Sequence, residues 1–115
     1  MNLIELQSKA GLVEALLKSV GNRNRLIVLC ELLKGERSVS SLQSAIGLSQ
    51  SALSQHLARL REDGIVATRR ESQTIYYSLA SNKVAQLIGL LYQLYCAPDC
   101  DDESAPPKVK KSKGR

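Results

Sequence analysis

The chain has 115 residues, 43% of them hydrophobic and 23% charged, with a formal net charge of +5 at pH 7. A chain of this length makes one small domain, and with no Trp and no Phe its core has to be built from Leu, Ile, Val and Ala. The positive balance suits a polyanionic partner. The opening run MNLIELQSKAGLVEALLKSVG is interrupted by Glu5, Lys9, Glu14 and Lys18, which excludes a signal-peptide core or a membrane span. A cytoplasmic protein is therefore expected, in which the three cysteines serve as reactive or inert thiols rather than as a disulfide framework.

In chain order, apolar residues at 3, 6, 10, 13, 16, 17 and 20 trace one stripe of an amphipathic helix from Leu3 to Val20. A second helix is predicted around Arg25–Lys34, with Cys30 on or beside the face made by Leu26, Leu29 and Leu33. Val39, Leu42, Ala45 and Ile46 mark a third, with Ser38 as its cap, and Gly47 breaks it. After a turn of about three residues, Leu53, Leu57 and Leu60 recur at i, i+4, i+7 in a fourth helix, opened by Ser49 and ended by Gly64. Two helices joined by a tight glycine-containing turn form a helix-turn-helix, whose second helix enters the DNA major groove.

The segments Ile65–Arg70 and Thr74–Leu79 are rich in β-branched and aromatic residues and flank Glu71-Ser72-Gln73, so they are predicted to pair as a hairpin. Val84, Leu87, Ile88, Leu91, Tyr92 and Tyr95 stripe a last helix from Lys83 to Cys96. The expected fold is mainly α with a small β-hairpin, a winged helix-turn-helix in the order ααααββα. Residues 1–96 form the DNA-binding and dimerisation domain. Residues 97–115, APDCDDESAPPKVKKSKGR, have too little apolar content to pack and are expected to be a disordered charged tail.

On the fourth helix, Gln50, Ser51, Ser54, Gln55 and Arg59 fall away from the leucine stripe. Gln bonds adenine bidentately and Ser bonds several base edges, so these side chains suit direct base readout. His56, the one histidine, fits packing or a phosphate contact better than metal ligation. Arg69, Arg70 and Gln73 lie at or near the hairpin tip, where arginines hold phosphates and fix register. The structural alternatives are a solvated helix face and arginines that merely blunt an exposed edge. A nonspecific architectural binder would favour lysine where this helix carries Gln and Ser.

These residues carry a family resemblance. The run GERSVSSLQSAIGLSQSALSQHLARLREDGIVATRRESQTIYYSL resembles the core of the ArsR/SmtB family of bacterial winged-helix repressors, most closely over LSQSALSQHLARLR and TRRESQTIYYSL. The likeness extends to NRNRLIVLCELL upstream and LLYQLYC downstream, covering roughly residues 10 to 96. LCELL together with LYQLYC is similar to the branch that senses reactive sulfur species or thiol oxidation. The resemblance implies a homodimer through the first and last helices, bound to an imperfect palindrome of double-stranded DNA. It also implies that Cys30 and Cys96 match the branch's paired thiols, whose oxidation to a disulfide or polysulfide lowers operator affinity. Reactive sulfur species or another thiol oxidant would then be the effector. Cys100 stands outside that pattern, leaving Cys96–Cys100 and Cys30–Cys100 as competing pairs, and Cys30 as a buried small hydrophobe is the bland alternative.

Other chemistries find little support. There is no Cys-x-Cys, and 83–96 holds no His, Asp or Glu, so no metal or cofactor is expected. No thiol accompanies His56 in its helical turn, no Cys-x-x-Cys occurs and no Gly-rich phosphate loop occurs, so the chain is not expected to be an enzyme. A general thiol-redox regulator, or one that works by displacing another DNA-binding protein, is the alternative reading.

Overall fold

The computed structural model describes residues 2–96. The charged tail and Cys100 lie outside the described residues. The elements are α1 (Leu3–Val20), α2 (Arg23–Leu32), β1 (Arg37–Ser38), α3 (Val39–Ile46), α4 (Gln50–Glu62), β2 (Val66–Glu71), β3 (Thr74–Leu79) and α5 (Asn82–Tyr95). The winged helix-turn-helix is present, with one element beyond the anticipated order. The two-residue β1 pairs antiparallel with β3, Arg37 opposite Tyr77 and Ser38 opposite Tyr76, to give a three-stranded sheet in the order β1-β3-β2. Two residues are too few to show a period of two, so the strand has no signature of its own and exists because β3 offers it an edge.

The helix ends follow local chemistry. The Ser38 hydroxyl accepts from the Ser41 amide at 3.1 Å to cap α3, and the Ser49 hydroxyl accepts from the Ala52 amide at 3.2 Å to cap α4. Gly47 closes α3 in the left-handed region, φ 86°. The exit from α4 is a Schellman turn. The Gly64 amide donates to the Arg61 carbonyl at 3.0 Å, the Ile65 amide donates to the Leu60 carbonyl at 2.9 Å, and Gly64 sits at φ 75°. Leu60 and Ile65, the apolar pair that accompanies this motif, are both buried. The chain therefore leaves the helix directly into β2. The hairpin turn is Ser72-Gln73, tighter than the three residues anticipated, because Glu71 still pairs with Thr74; Ser72 takes φ 57°.

The core is aliphatic. Val28, Leu29 and Leu32 on α2 are buried together with Leu42 of α3, Leu53, Leu57 and Leu60 of α4, Ile65 and Val66 entering the wing, and Val84 and Ile88 of α5. Helix α2 touches α1, α3, α4, α5 and β3, so it is the axle of the domain. The outer lengths of α1 and α5 do not share in this core. Leu3, Ile4, Leu6, Leu12, Val13 and Leu17 of α1 are exposed, as are Leu90, Tyr92, Leu94 and Tyr95 of α5. No described helix is long and apolar enough to cross a membrane.

The Schellman glycine gives a direct check. A Cβ at Gly64 meets no atom within 4 Å, so the cost of a side chain there is the left-handed backbone alone. Gly64→Ala is expected to lose about 1–2 kcal/mol in chemical denaturation, and Gly64→Asn less, since Asn visits that region more readily.

Candidate nucleic-acid interface and its thiol pair

Burial of Leu53, Leu57 and Leu60 fixes the rotation of α4, and with it the side chains α4 presents outward. Gln50, Ser51, Ser54 and Gln55 are exposed along its first two turns, while His56 is half-buried on the flank. Arg59 is exposed but engaged, its Nε donating to the Asp63 carboxylate at 2.8 Å. The amino-terminal half of α4 is thus an uncharged hydrogen-bonding surface, the kind that reads base edges rather than phosphates. Arg61, which the sequence reading passed over, lies exposed on the same helix with no ion-pair partner among the described residues.

The wing divides its two arginines. Residue alternation puts Val66, Thr68 and Arg70 on the face that carries Tyr77 and Leu79, and puts Arg69 and Glu71 on the other with Tyr76. Arg69 lies over the Tyr76 ring, 4.7 Å from its centroid. Its Nε and Nη2 donate to the two oxygens of Glu36 at 3.0 and 2.7 Å, and its Nη1 donates to Glu71 at 3.0 Å. The fork-to-carboxylate geometry straps β2 across β3 to the segment before β1. It also holds the Glu36 carboxyl below the usual carboxylate range, through the hydrogen bond from Arg69. The Arg69 guanidinium is thereby committed within the wing and reaches a phosphate only by leaving Glu36 and Glu71. Arg70 and Gln73 are exposed, and Arg70 has no ion-pair partner among the described residues. Glu36, 33 residues before Arg69, is a partner that sequence spacing could not indicate.

A second network ties α2 to α3. Glu31 pairs with Arg37 and, at 3.1 Å, with Lys34; Arg37 in turn donates from Nε and Nη2 to the Ser41 hydroxyl at 3.1 and 2.9 Å. Glu31 immediately follows Cys30. Cys30 is half-buried at the edge of the core, Cys96 is the exposed C-cap residue of α5, and both are free thiols. Helix α2, which carries Cys30, packs on α5, which ends at Cys96. Burial first, then the charge of Cys96 and that of Glu31, pushes the Cys30 thiol above its ordinary value. Among the described residues no group of three or more His, Cys, Asp or Glu is placed to hold a metal ion.

An exposed Gln/Ser face on the second helix of a helix-turn-helix, followed by a basic wing, defines a winged-helix DNA-binding transcriptional regulator. Residues 22–68 match the family model described as bacterial regulatory protein, arsR family. The chain is 52% identical over 96 residues to the transcriptional activator HlyU of Vibrio cholerae serotype O1, covering 84% of this chain and 89% of that protein. The structure of reduced HlyU from Vibrio cholerae superposes with a TM-score of 0.78 at 50% identity, covering 83% of this chain and 100% of that one. The transcriptional repressor BigR from Xylella fastidiosa superposes with a TM-score of 0.78 at 43% identity, covering 84% and 99%. The chain belongs to the ArsR family of bacterial regulatory proteins, a family of DNA-binding regulators and not of enzymes.

The electrostatics at Cys30 set its reactivity. The pH profile of its alkylation in Cys96→Ser, Cys100→Ser protein is expected to rise at a higher pH than that of an ordinary cysteine, near about 8.5. Adding Glu31→Gln should move the profile down, because it removes a negative charge that opposes the thiolate. Mass-spectrometric rates of iodoacetamide labelling read both shifts.

Proposed function

We propose that this chain is a homodimeric repressor whose hold on an imperfect palindromic operator weakens when Cys30 and Cys96 are oxidised. The unpartnered apolar faces of α1 and α5 support the dimer, since neither face finds cover in its own domain. In a twofold dimer the two α4 helices would enter successive major grooves about one DNA turn apart. Gln50, Ser51, Ser54 and Gln55 would read bases, with Arg70 and Gln73 on the backbone and His56, Arg59 and Arg69 supporting them. A protein of this kind acts where the chromosome is, in the cytoplasm.

The observation that carries the switch is a pair of free thiols on two packed helices, one of them on the axle of the fold. Cys96 is exposed and meets the oxidant first; Cys30, half-buried, is the resolving thiol and attacks as its thiolate. With an organic persulfide as oxidant, the two thiols form a disulfide while the persulfide is reduced to a thiol and hydrogen sulfide. With a second persulfide the bridge keeps one extra sulfur, and two thiols and one hydrogen sulfide leave. Either bridge tethers α5 to α2 and strains the packing that orients α4. Similarity to a relative named as an activator supports a second reading, in which the dimer acts by displacing another DNA-binding protein.

The test is a non-reducing peptide map after persulfide and, separately, peroxide, with operator affinity measured on the same samples. A Cys30–Cys96 bridge with weakened binding is expected; extra sulfur found only after persulfide makes it a reactive-sulfur sensor, and a plain disulfide with either oxidant makes it a general redox switch. Unmodified Cys30 and Cys96, or a bridge through Cys100, would remove the proposed mechanism. For the DNA contacts, Gln50→Ala or Ser54→Ala should cost about 1–3 kcal/mol and relax base preference, whereas Arg70→Ala should weaken all sequences alike and reduce the salt slope by about 1. Arg69→Ala should change the salt slope less than Arg70→Ala does, because the Arg69 guanidinium is bonded to Glu36 and Glu71 rather than free for a phosphate. Leu17→Glu, on the exposed face of α1, should give monomers in sedimentation and lose operator binding.

A further inference from the structure

The aliphatic core grips the wing at its base. Ile65 and Val66 are buried and Tyr77 and Leu79 pack against the same cluster, yet no residue from Arg69 through Ile75 is buried. That outer half is a two-stranded ribbon, which has little stability of its own and twists readily. It is also the half that carries Arg70 and Gln73.

Glu36 reaches this ribbon from across the sheet. The Arg69 side chain passes over the Tyr76 ring of the neighbouring strand and donates to both Glu36 oxygens, at 3.0 and 2.7 Å. Its third nitrogen donates to Glu71 at 3.0 Å, so the planar group is bonded at every nitrogen. Glu36 stands where the chain is itself fixed. The next residue, Arg37, pairs with Glu31 of α2 and donates to Ser41 of α3, and Ser38 caps α3. The clasp therefore ties the outer ribbon to the entry of the first helix of the helix-turn-helix. Strand alternation sends Arg70 out from the opposite face of β2, free of the clasp while its backbone is held one residue away.

We propose that Glu36 is a positioning residue for DNA binding, which clamps Arg69 and so holds the wing where Arg70 and Gln73 meet the backbone of the duplex that α4 reads. The inference rests on the DNA contacts proposed above. A carboxylate beside a phosphate-binding ribbon repels DNA by its charge, so any favourable effect of Glu36 has to come from geometry. The sign of its effect on binding is therefore diagnostic. Charge alone makes Glu36→Gln bind DNA more tightly; loss of the clasp makes it bind less tightly.

The experiment titrates full-chain protein against an operator recovered by in vitro selection with the wild type, over a series of salt concentrations. Glu36→Gln should weaken binding about threefold or more and lower the salt slope part of the way towards that of Arg70→Ala. Arg69→Lys keeps the positive charge but loses the planar fork, and should weaken binding in the same direction. Glu62→Gln removes a charge from an exposed glutamate of α4 with no ion-pair partner among the described residues, and should not weaken binding. In an Arg70→Ala, Gln73→Ala background, Glu36→Gln should cost less than about 1.5-fold, because the groups it positions are gone. The clasp is solvent-exposed and such pairs add little stability, so circular dichroism and thermal melting should match the wild type. Tighter binding by Glu36→Gln with a steeper salt slope would mean that the carboxylate cages Arg69, and overturns the proposal. Unchanged binding, or a full additional loss in the Arg70→Ala, Gln73→Ala background, overturns it as well. Wild-type affinity and salt slope in Arg70→Ala, Gln73→Ala protein would instead overturn the reading of the wing as a DNA contact, and the role of Glu36 with it.

Discussion

The domain depends on the burial of one helical face, Val28, Leu29 and Leu32 of α2. With no Trp or Phe to fill space, aliphatic side chains from every other layer must converge there, and each helix takes its orientation from the leucines it inserts. Leu42 seats α3, Leu53, Leu57 and Leu60 seat α4, and Val84 with Ile88 seats α5. A change that moves α2 is consequently felt at the exposed Gln and Ser face of α4. Cys30 is on this helix, at the edge of the core, and Glu31 beside it reaches α3 through Arg37 and Ser41. Cys30 thus neighbours a residue bonded through Arg37 to the first helix of the helix-turn-helix.

Charge is managed in a way that sharpens the surface. Arg59 is paired with Asp63, Arg37 with Glu31, and Arg69 with Glu36 and Glu71, so much of the cationic charge serves to hold elements together. The exposed first turns of α4 are left to uncharged Gln and Ser. A binder relying on phosphate attraction alone gains from free lysines on that face; one that discriminates bases gains from neutral donors and acceptors, because their bonds are lost at a wrong base.

The family assignment and the apolar surfaces support one another. The match to HlyU and BigR spans more than four-fifths of the chain. An aliphatic core this small leaves the outer lengths of both helices uncovered, so the proposed second subunit would answer a packing deficit.

The local grammar of the chain was legible without coordinates: the Ser38 and Ser49 caps, the glycines at 47 and 64, the leucine stripe of α4 and the paired strands of the wing. Each depends on residues within a few positions of one another, where period and turn chemistry act directly. So did the exposure of Gln50, Ser51, Ser54 and Gln55, which follows once the leucines are buried. Strand β1, the Glu36 clasp on Arg69 and the packing of α2, which carries Cys30, against α5, which ends at Cys96, were decided by tertiary structure. Their partners are tens of residues apart. Periodicity carries no information about which side chains two packed helices or strands will bring together; that is settled only when the aliphatic core closes around α2 and leaves each polar group with the neighbours it can reach.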